Sequence, residues 1–250
     1  MKMSKQVALG LWLPLLTVTG WEVCSGFGIL DPLFFPAPSR LAASAWRLTG
    51  TGELGRQAGA TVTRMGIGFF CGAVAGLLLG ALMGASRRVG RSLEPSLSAL
   101  YSAPKLSLLP MVMLLAGVGE SSRLLLVAAA AFVLVAFHAL DGIRGVDRSW
   151  VELASHHGAG RWMILRKVFL PACMPQLFTG LRLAAGRALV VTISIELINA
   201  PDGLGSMILM SWQTFATEKL YIGVILTAAL GAILHAVMRR IELKLVPWRN

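Results

Sequence analysis

The amino-acid sequence predicts an all-α, polytopic membrane protein with about six transmembrane helices. Hydrophobic residues make up 56% of the 250 residues and charged residues only 14%, whereas about a quarter of a soluble domain is charged. Six apolar runs approach the roughly 20 residues that a helix needs to cross a bilayer. They lie near residues 7–24, 62–84, 96–118, 123–141, 175–199 and 221–238. We therefore expect residues 1–250 to form a single transmembrane domain, with no separate soluble domain.

The first run resembles both a membrane span and a cleavable signal peptide, because Lys2 and Lys5 precede it. A signal peptide ends in a small-x-small cleavage site, and Trp21-Glu22-Val23 does not supply one. We therefore expect the first run to be retained as a transmembrane span.

The second run carries a glycine at every fourth residue, which places the glycines along one side of a helix. These residues are Gly68, Gly72, Gly76, Gly80 and Gly84. Small residues at this spacing let another helix approach closely inside a membrane. The stripe predicts tight helix packing within the chain, and a contact between two subunits is the alternative.

The net charge is +11, which in a soluble protein would suggest a nucleic-acid partner. In a membrane protein, however, lysine and arginine concentrate in the cytoplasmic segments. Their distribution between the six runs places both chain termini and the polar loop 142–171 in the cytoplasm. Membrane orientation thus accounts for the positive charge, and we expect no nucleic-acid partner.

The polar loop has the pattern of two short helices joined by a glycine turn. Ser149 is expected to cap the first helix, and Glu152, three residues later, completes a capping box. Gly158 stands where a helix commonly ends in a left-handed turn. A second, basic helix is expected from Arg161 to Phe169, ended by Leu170-Pro171.

The sequence lacks the motifs of a nucleotide-hydrolysing, zinc-dependent or proteolytic enzyme. It has no G-x-x-x-x-G-K-[ST] phosphate loop, no H-E-x-x-H pair and no G-x-S-x-G nucleophile motif. Cys24, Cys71 and Cys173 do not have metal-ligand spacing. We therefore expect no enzymatic activity, no metal and no bound cofactor in this chain.

The polar loop also contains a spaced pattern of acidic, small and apolar residues. Its positions are Glu152, Ala154, Gly158, Val168, Leu170 and Pro171. They match the cytoplasmic motif E-A-A-x3-G-x9-I-x-L-P, so the sequence resembles the permease subunits of binding-protein-dependent ABC importers. Leu153 and Val168 stand where that motif has alanine and isoleucine.

Further segments resemble the nitrate/sulfonate/taurine branch of this family. They include Pro36-Ala37-Pro38-Ser39, Ala103-Pro104-Lys105, Gly117-Val118-Gly119-Glu120 and Gly203-Leu204-Gly205. The resemblance implies that the six motif residues form a coupling helix region, which contacts separate cytoplasmic subunits that bind ATP and Mg²⁺. It also implies an extracytoplasmic solute-binding protein, a second permease copy in a homodimer, and a multi-pass location in the bacterial inner membrane.

Charged residues inside membrane spans are costly and mark functional sites. Lys105 and Arg187 each lie about ten residues into a span from its cytoplasmic end, hence near the bilayer centre. Together with Glu196, which lies nearer the outer face, they form a candidate pathway for a small anion such as a sulfonate, taurine or nitrate. In the alternative, Lys105 is structural, and pairs with Glu196 or bonds to carbonyl groups freed by Pro104 and Pro110.

Three other functions remain open at this point. The same fold could import a neutral or cationic vitamin precursor or pyrimidine, which are cargoes of the same branch. An integral-membrane enzyme would need a catalytic set that the sequence lacks. An interaction scaffold would show no ATP-dependent flux.

Overall fold

A computed structural model of the chain describes the backbone of residues 2–249 and the side chains of residues 12–248. Over these residues the structure is 86% helical and contains no strand, which confirms the all-α fold. Met1 and Asn250, the termini that the sequence places in the cytoplasm, lie outside the described residues.

The fold consists of helices of very different length. They are α1 (Lys2–Gly26), α2 (Pro38–Gly50), α3 (Glu53–Ala85), α4 (Arg87–Ser102), α5 (Leu109–Ala116), α6 (Glu120–Arg144), α7 (Arg148–His156), α8 (Arg161–Ile164), α9 (Leu170–Asn199), α10 (Leu204–Gln213) and α11 (Thr217–Leu245). Short 3₁₀ turns cover Lys105–Leu108 and Pro247–Arg249, and a π-helical turn covers Leu165–Phe169.

Three helices, α3, α6 and α11, are long and apolar enough to cross a membrane, judged over the described residues by length and composition. Helix α4 and the segment Lys105–Ala116 pass the same test as a bent pair. The predicted runs 7–24 and 175–199 lie within α1 and α9, respectively. The long apolar helices agree with a multi-pass membrane protein.

The third predicted span, 96–118, is wrong as a single continuous helix. The chain bends by 92° between α4 and the segment Lys105–Ala116. Ala103 has an extended backbone, with φ −62° and ψ 133°, because Pro104 disfavours the helical conformation in the residue before it. The proline therefore breaks the helix here instead of being tolerated within it.

Contacts within the chain define two compact units, residues 1–60 with 196–228 and residues 61–195 with 229–250. The first unit has a small core of Leu54, Met207 and Ile222. The second unit is built around α6, in which about half of the residues are buried and contribute to three apolar clusters.

The glycine stripe of α3 lies against α6 of the same chain. A Cβ atom added at Gly68 would lie 2.6 Å from Cγ1 of Val127, and one at Gly76 would lie 2.5 Å from the carbonyl oxygen of Phe132. One added at Gly72 would collide with the carbonyl oxygen of Ala128. At these positions α3 and α6 are therefore too close together for α3 to carry a residue larger than glycine. Gly80 and Gly84 meet the next turns of α6, at Ala136 and Ile143.

Candidate functional site

Helix α7 begins at an aspartate cap two residues earlier than the sequence suggested. Oδ1 of Asp147 accepts a hydrogen bond from the backbone N–H of Ser149 at 2.9 Å. This bonding lowers the pKa of Asp147, so the cap is a carboxylate at neutral pH. The predicted capping box of Ser149 and Glu152 is wrong, because Ser149 is already inside the helix. Glu152 is instead exposed to solvent.

Helix α7 ends in a Schellman motif at Gly158. The N–H of Gly158 donates to the carbonyl of Ser155 at 2.9 Å, and the N–H of Ala159 donates to the carbonyl of Ala154 at 3.1 Å. Gly158 has φ +78°, a left-handed conformation that only glycine adopts without strain. The predicted role of this glycine as a helix terminator agrees with this geometry.

The chain then runs as an almost unbroken helical path into α9. Helix α8 passes into the π-helical turn Leu165–Phe169, and α9 begins at Leu170. The prediction that Leu170-Pro171 ends the second helix is wrong. The N–H of Leu170 donates to the carbonyl of Leu165, so the π-helical turn continues directly into α9 and Pro171 does not interrupt the helical path.

An apolar groove of about 470 Å³ runs beside α7. Its walls come from α7, the π-helical turn, the start of α9 and the 3₁₀ turn near the chain end. The lining residues are Trp150, Leu153, Ala154, His157, Lys167, Val168, Pro171 and Trp248. Three of the six motif positions, Ala154, Val168 and Pro171, thus face one groove, which is called the α7 groove below.

Lys105 is buried at the broken end of α4, with 8% of its surface exposed. Its Nζ donates to the carbonyl oxygens of Leu100 and Tyr101, at 2.8 Å and 2.6 Å. In an unbroken helix the carbonyl of Leu100 would accept from residue 104, which is a proline without an N–H. Lys105 supplies the missing donor, and its positive charge is favourable at a helix C-terminus. Of the two structural roles predicted for it, bonding to freed carbonyls is the one present.

Lys105 and Arg187 line the same cavity, of about 390 Å³. Most of its remaining lining is apolar, including Val133, Leu183 and Val190. Tyr101 also lines it, and the Lys105 ammonium lies 5.6 Å from the centre of the Tyr101 ring. The structure thus brings together two of the three predicted pathway residues, in a space that is called the cationic cavity below.

Glu196 occupies a different setting, at the turn that leads into α10. Only 1% of its surface is exposed, and its Oε2 accepts from the N–H of Gly205 at 3.1 Å. Gly203 packs directly on this carboxyl group, so a Cβ atom there would overlap it. Gln57 accepts from the N–H of Gly203 at 2.7 Å. Glu196 therefore accepts from an N–H group in the first turn of α10, where a negative charge is favourable.

Among the ion pairs that were not predicted from the sequence, two groups contain buried side chains. Arg64, 5% exposed, holds both carboxylate oxygens of Glu120 at 2.8 Å, and Arg123 reaches the same carboxylate at 2.6 Å. Arg182 pairs with Glu242 at 2.9 Å. The sequence signal that could have indicated these pairs is an arginine near the end of one predicted span and a glutamate at a similar depth in another.

The described residues contain no group of three or more histidine, cysteine, aspartate or glutamate side chains arranged to hold a metal ion. What the geometry offers is a capped helix beside an apolar groove and a separate cavity with two cations. The helix and its apolar groove are suited to contact with another protein, and the cavity with two cations is suited to bind an anion.

Comparison with known proteins places this chain in a family. Residues 72–246 match the family described as binding-protein-dependent transport system inner membrane component. The chain is 34% identical over 96% of its length to SsuC of Bacillus subtilis (strain 168), a permease protein named for aliphatic sulfonates, and covers 87% of it. It is 30% identical over 99% of its length to the taurine transport system permease protein TauC of Escherichia coli (strain K12), and covers 92% of that protein.

A solved structure shows a similar fold. It is an inward-facing form of the MetNI methionine ABC transporter, with a TM-score of 0.63 and 19% identity. The match covers 73% of this chain and 91% of that one. The family match and the two relatives together establish that this chain belongs to the binding-protein-dependent transport system inner membrane components, and that it is a membrane-spanning permease subunit of an ABC importer whose ATPase is a separate subunit.

Proposed function

We propose that this permease imports a small anion, and that ATPase subunits drive it through α7 and the Gly158 turn. The observation that carries the anion proposal is the cationic cavity, where Lys105 and Arg187 face one space with mainly apolar walls. A fixed positive charge offsets the cost of removing an anion from water. The names of SsuC and TauC, which refer to sulfonates and taurine, support an anionic head group.

Lys105 is suited to bind such a group because its position is fixed. The carbonyls of Leu100 and Tyr101 take two of the three donors of its ammonium group. The third donor and the charge remain for an anion in the cavity. Arg187 is exposed and adds a planar, bidentate donor group, which matches the oxygens of a sulfonate.

Helix α9 connects the α7 groove to the cationic cavity. Pro171, in its first turn, lines the groove, and Arg187, on the same continuous helix, lines the cavity. Sixteen residues of helix separate them, or about 24 Å at 1.5 Å per residue. A movement imposed at the groove is therefore carried along one rigid element to the cavity, which supports the coupling role proposed for the six motif residues.

The proposed assembly contains two copies of this chain, two cytoplasmic ATPase subunits and an external solute-binding protein. The orientation with the polar loop and both termini in the cytoplasm rests on the distribution of lysine and arginine. The α7 groove then faces the compartment that contains ATP. In this arrangement the cationic cavity receives its anion from the binding protein on the opposite side.

A second candidate cargo is a neutral or cationic heteroaromatic compound. The chain is 28% identical to the riboflavin transport permease RibX of Chloroflexus aurantiacus (strain ATCC 29366 / DSM 635 / J-10-fl) over 96% of its length. The ring of Tyr101 in the cationic cavity offers a surface on which an aromatic cargo could stack. Two cations in the same cavity would oppose a positively charged cargo.

The test is uptake into proteoliposomes that contain the permease with its ATPase and binding protein. Labelled taurine, an alkanesulfonate, nitrate and riboflavin are compared for wild type and for Arg187→Gln and Arg187→Lys. We expect ATP-dependent uptake of taurine, the alkanesulfonate or nitrate, each of which carries an anionic group, reduced at least about tenfold by Arg187→Gln and largely restored by Arg187→Lys. Uptake of riboflavin alone, unaffected by either variant, would show that the cargo is not an anion.

A further inference from the structure

The α7 groove has one wall that comes from the far end of the chain. Trp248, in the 3₁₀ turn Pro247–Arg249, lines it together with Trp150 and Leu153. These three large apolar side chains are more than half exposed, at 53%, 54% and 61%. The chain is anchored two residues before Trp248, since Val246 is buried and its N–H donates to the carbonyl of Glu242 at 2.8 Å.

We propose that the α7 groove is a socket for an apolar side chain of the ATPase subunit, and that Trp248 is one of its contact residues. The inference rests on the coupling role proposed above for α7. The groove is continuous with the family's ATPase-coupling motif, since Ala154, Val168 and Pro171 line it. Trp248 extends that surface beyond the motif, to a residue far from it in sequence.

The charges around the groove indicate what kind of surface would fit. Lys167 lines it, and the exposed charged residues of α7 and α8 are Arg148, Glu152 and Arg161. Exposed apolar side chains beside a lysine, on helices where basic residues outnumber acidic ones, match a partner that presents an apolar anchor with carboxylates near it. Two tryptophans on one exposed surface are typical of the residues that contribute most of the binding energy in protein interfaces.

A contact at Trp248 would give the ATPase a second point of attachment. Val168 and Pro171 lead into α9, whereas Trp248 follows α11. These two helices are joined by the ion pair of Arg182 and Glu242, whose atoms lie 2.9 Å apart. A partner bound in the groove would therefore move α9 and α11 together, instead of pulling on the loop alone.

The test measures the affinity of the full-length detergent-solubilised permease for its purified cognate ATPase subunit. Trp248→Ala, Trp248→Phe and Leu153→Ala are compared with Trp162→Ala. Trp162 is the matched control, because it is a 72% exposed tryptophan of the same loop that does not line the groove. We expect Trp248→Ala and Leu153→Ala to raise Kd at least about tenfold. Trp248→Phe should retain most of the affinity, and Trp162→Ala should change Kd less than twofold.

The outcomes separate this inference from the coupling proposal. If Leu153→Ala weakens binding but Trp248→Ala does not, Trp248 is no part of the interface, while the role of α7 stands. Equal losses in Trp248→Ala and Trp162→Ala also overturn the inference, since position in the groove then has no effect. If none of the variants weakens binding, the α7 groove is not the ATPase contact, and both proposals fail. Gel filtration of each variant checks that the permease is intact.

Discussion

The ammonium nitrogen of Lys105 lies 2.6 Å from the carbonyl oxygen of Tyr101, so a buried cation completes the end of α4. This one contact gives Lys105 two functions. It satisfies backbone groups that the Pro104 break leaves without helical donors, and it fixes a positive charge at the wall of the cationic cavity. The ammonium group of Lys105 supplies both the hydrogen bonds and the positive charge. A substitution of Lys105 therefore changes stability and transport together.

Replacing Lys105 should therefore affect stability and uptake together. Lys105→Met leaves the Leu100 and Tyr101 carbonyls without their donor, which should cost about 1 to 3 kcal/mol of unfolding free energy. It should also reduce anion uptake. Arg187→Gln, a substitution of an exposed residue, should instead reduce uptake with little change in stability. Denaturation in mixed micelles and proteoliposome uptake measure the two effects. A Lys105→Met protein with wild-type stability would show that the cap does not contribute.

The close contact of α3 with α6 predicts a strong difference between two glycines of the same helix. Gly72→Ala places a methyl group on the carbonyl oxygen of Ala128, whereas Gly66 has open space around its added Cβ. Overpacking of this kind costs about 1 to 3 kcal/mol, so Gly72→Ala should lower the melting temperature in detergent. Gly66→Ala should leave it unchanged or slightly raised. Equal melting temperatures for the two variants would contradict the packing.

The Glu196 carboxylate is predicted to stabilise the start of α10 instead of contacting the cargo directly. Glu196→Ala leaves the buried N–H of Gly205 without this acceptor, at a cost of about 1 to 3 kcal/mol. Hydrogen exchange of the α10 amides should therefore become faster. If Glu196→Ala abolishes uptake while α10 exchange and stability stay at wild-type values, Glu196 belongs to the pathway.

A comparison of two glycine substitutions tests whether Gly203 packs on the Glu196 carboxyl group. Gly203→Ala adds both left-handed strain, at φ +110°, and a collision with the Glu196 carboxyl group. Gly52→Ala, at φ +73° with open space, adds only the strain. Gly203→Ala should be the more destabilising of the two in thermal unfolding. The opposite order would mean that Gly203 is not packed on Glu196.

Local sequence patterns were sufficient for features that depend on neighbouring residues. The four-residue spacing of the glycines on α3 indicated a close helix contact, and the lengths of the apolar runs indicated the long helices. Gly158 was predictable because a helix end with φ +78° has a strong preference for glycine. These features need no knowledge of distant parts of the chain.

Other features could not be predicted from local sequence, either because two nearby outcomes were equally plausible or because the partner residue is distant in the chain. Pro104 breaks its helix while Pro175 lies within α9, and the same residue type gives no indication of which will occur. Asp147 caps α7 because it is an acceptor with an extended backbone just before the helix, and Ser149 was an equally plausible cap by type. The partners of Arg64 and Arg182 are 56 and 60 residues away, so only the folded chain brings them together.

The most direct test of the coupling role of α7 compares Gly158→Ala with Gly160→Ala. Both glycines have open space around an added Cβ, but Gly158 has φ +78° and Gly160 has φ −68°. Alanine at residue 158 should strain the Schellman motif by about 1 to 2 kcal/mol and displace α7 from the ATPase. The measurement is ATP hydrolysis stimulated by cargo-loaded binding protein in proteoliposomes. We predict a large loss of stimulation for Gly158→Ala and for the bulkier Gly158→Asp, and near wild-type stimulation for Gly160→Ala. Full stimulation in Gly158→Asp would contradict the coupling role.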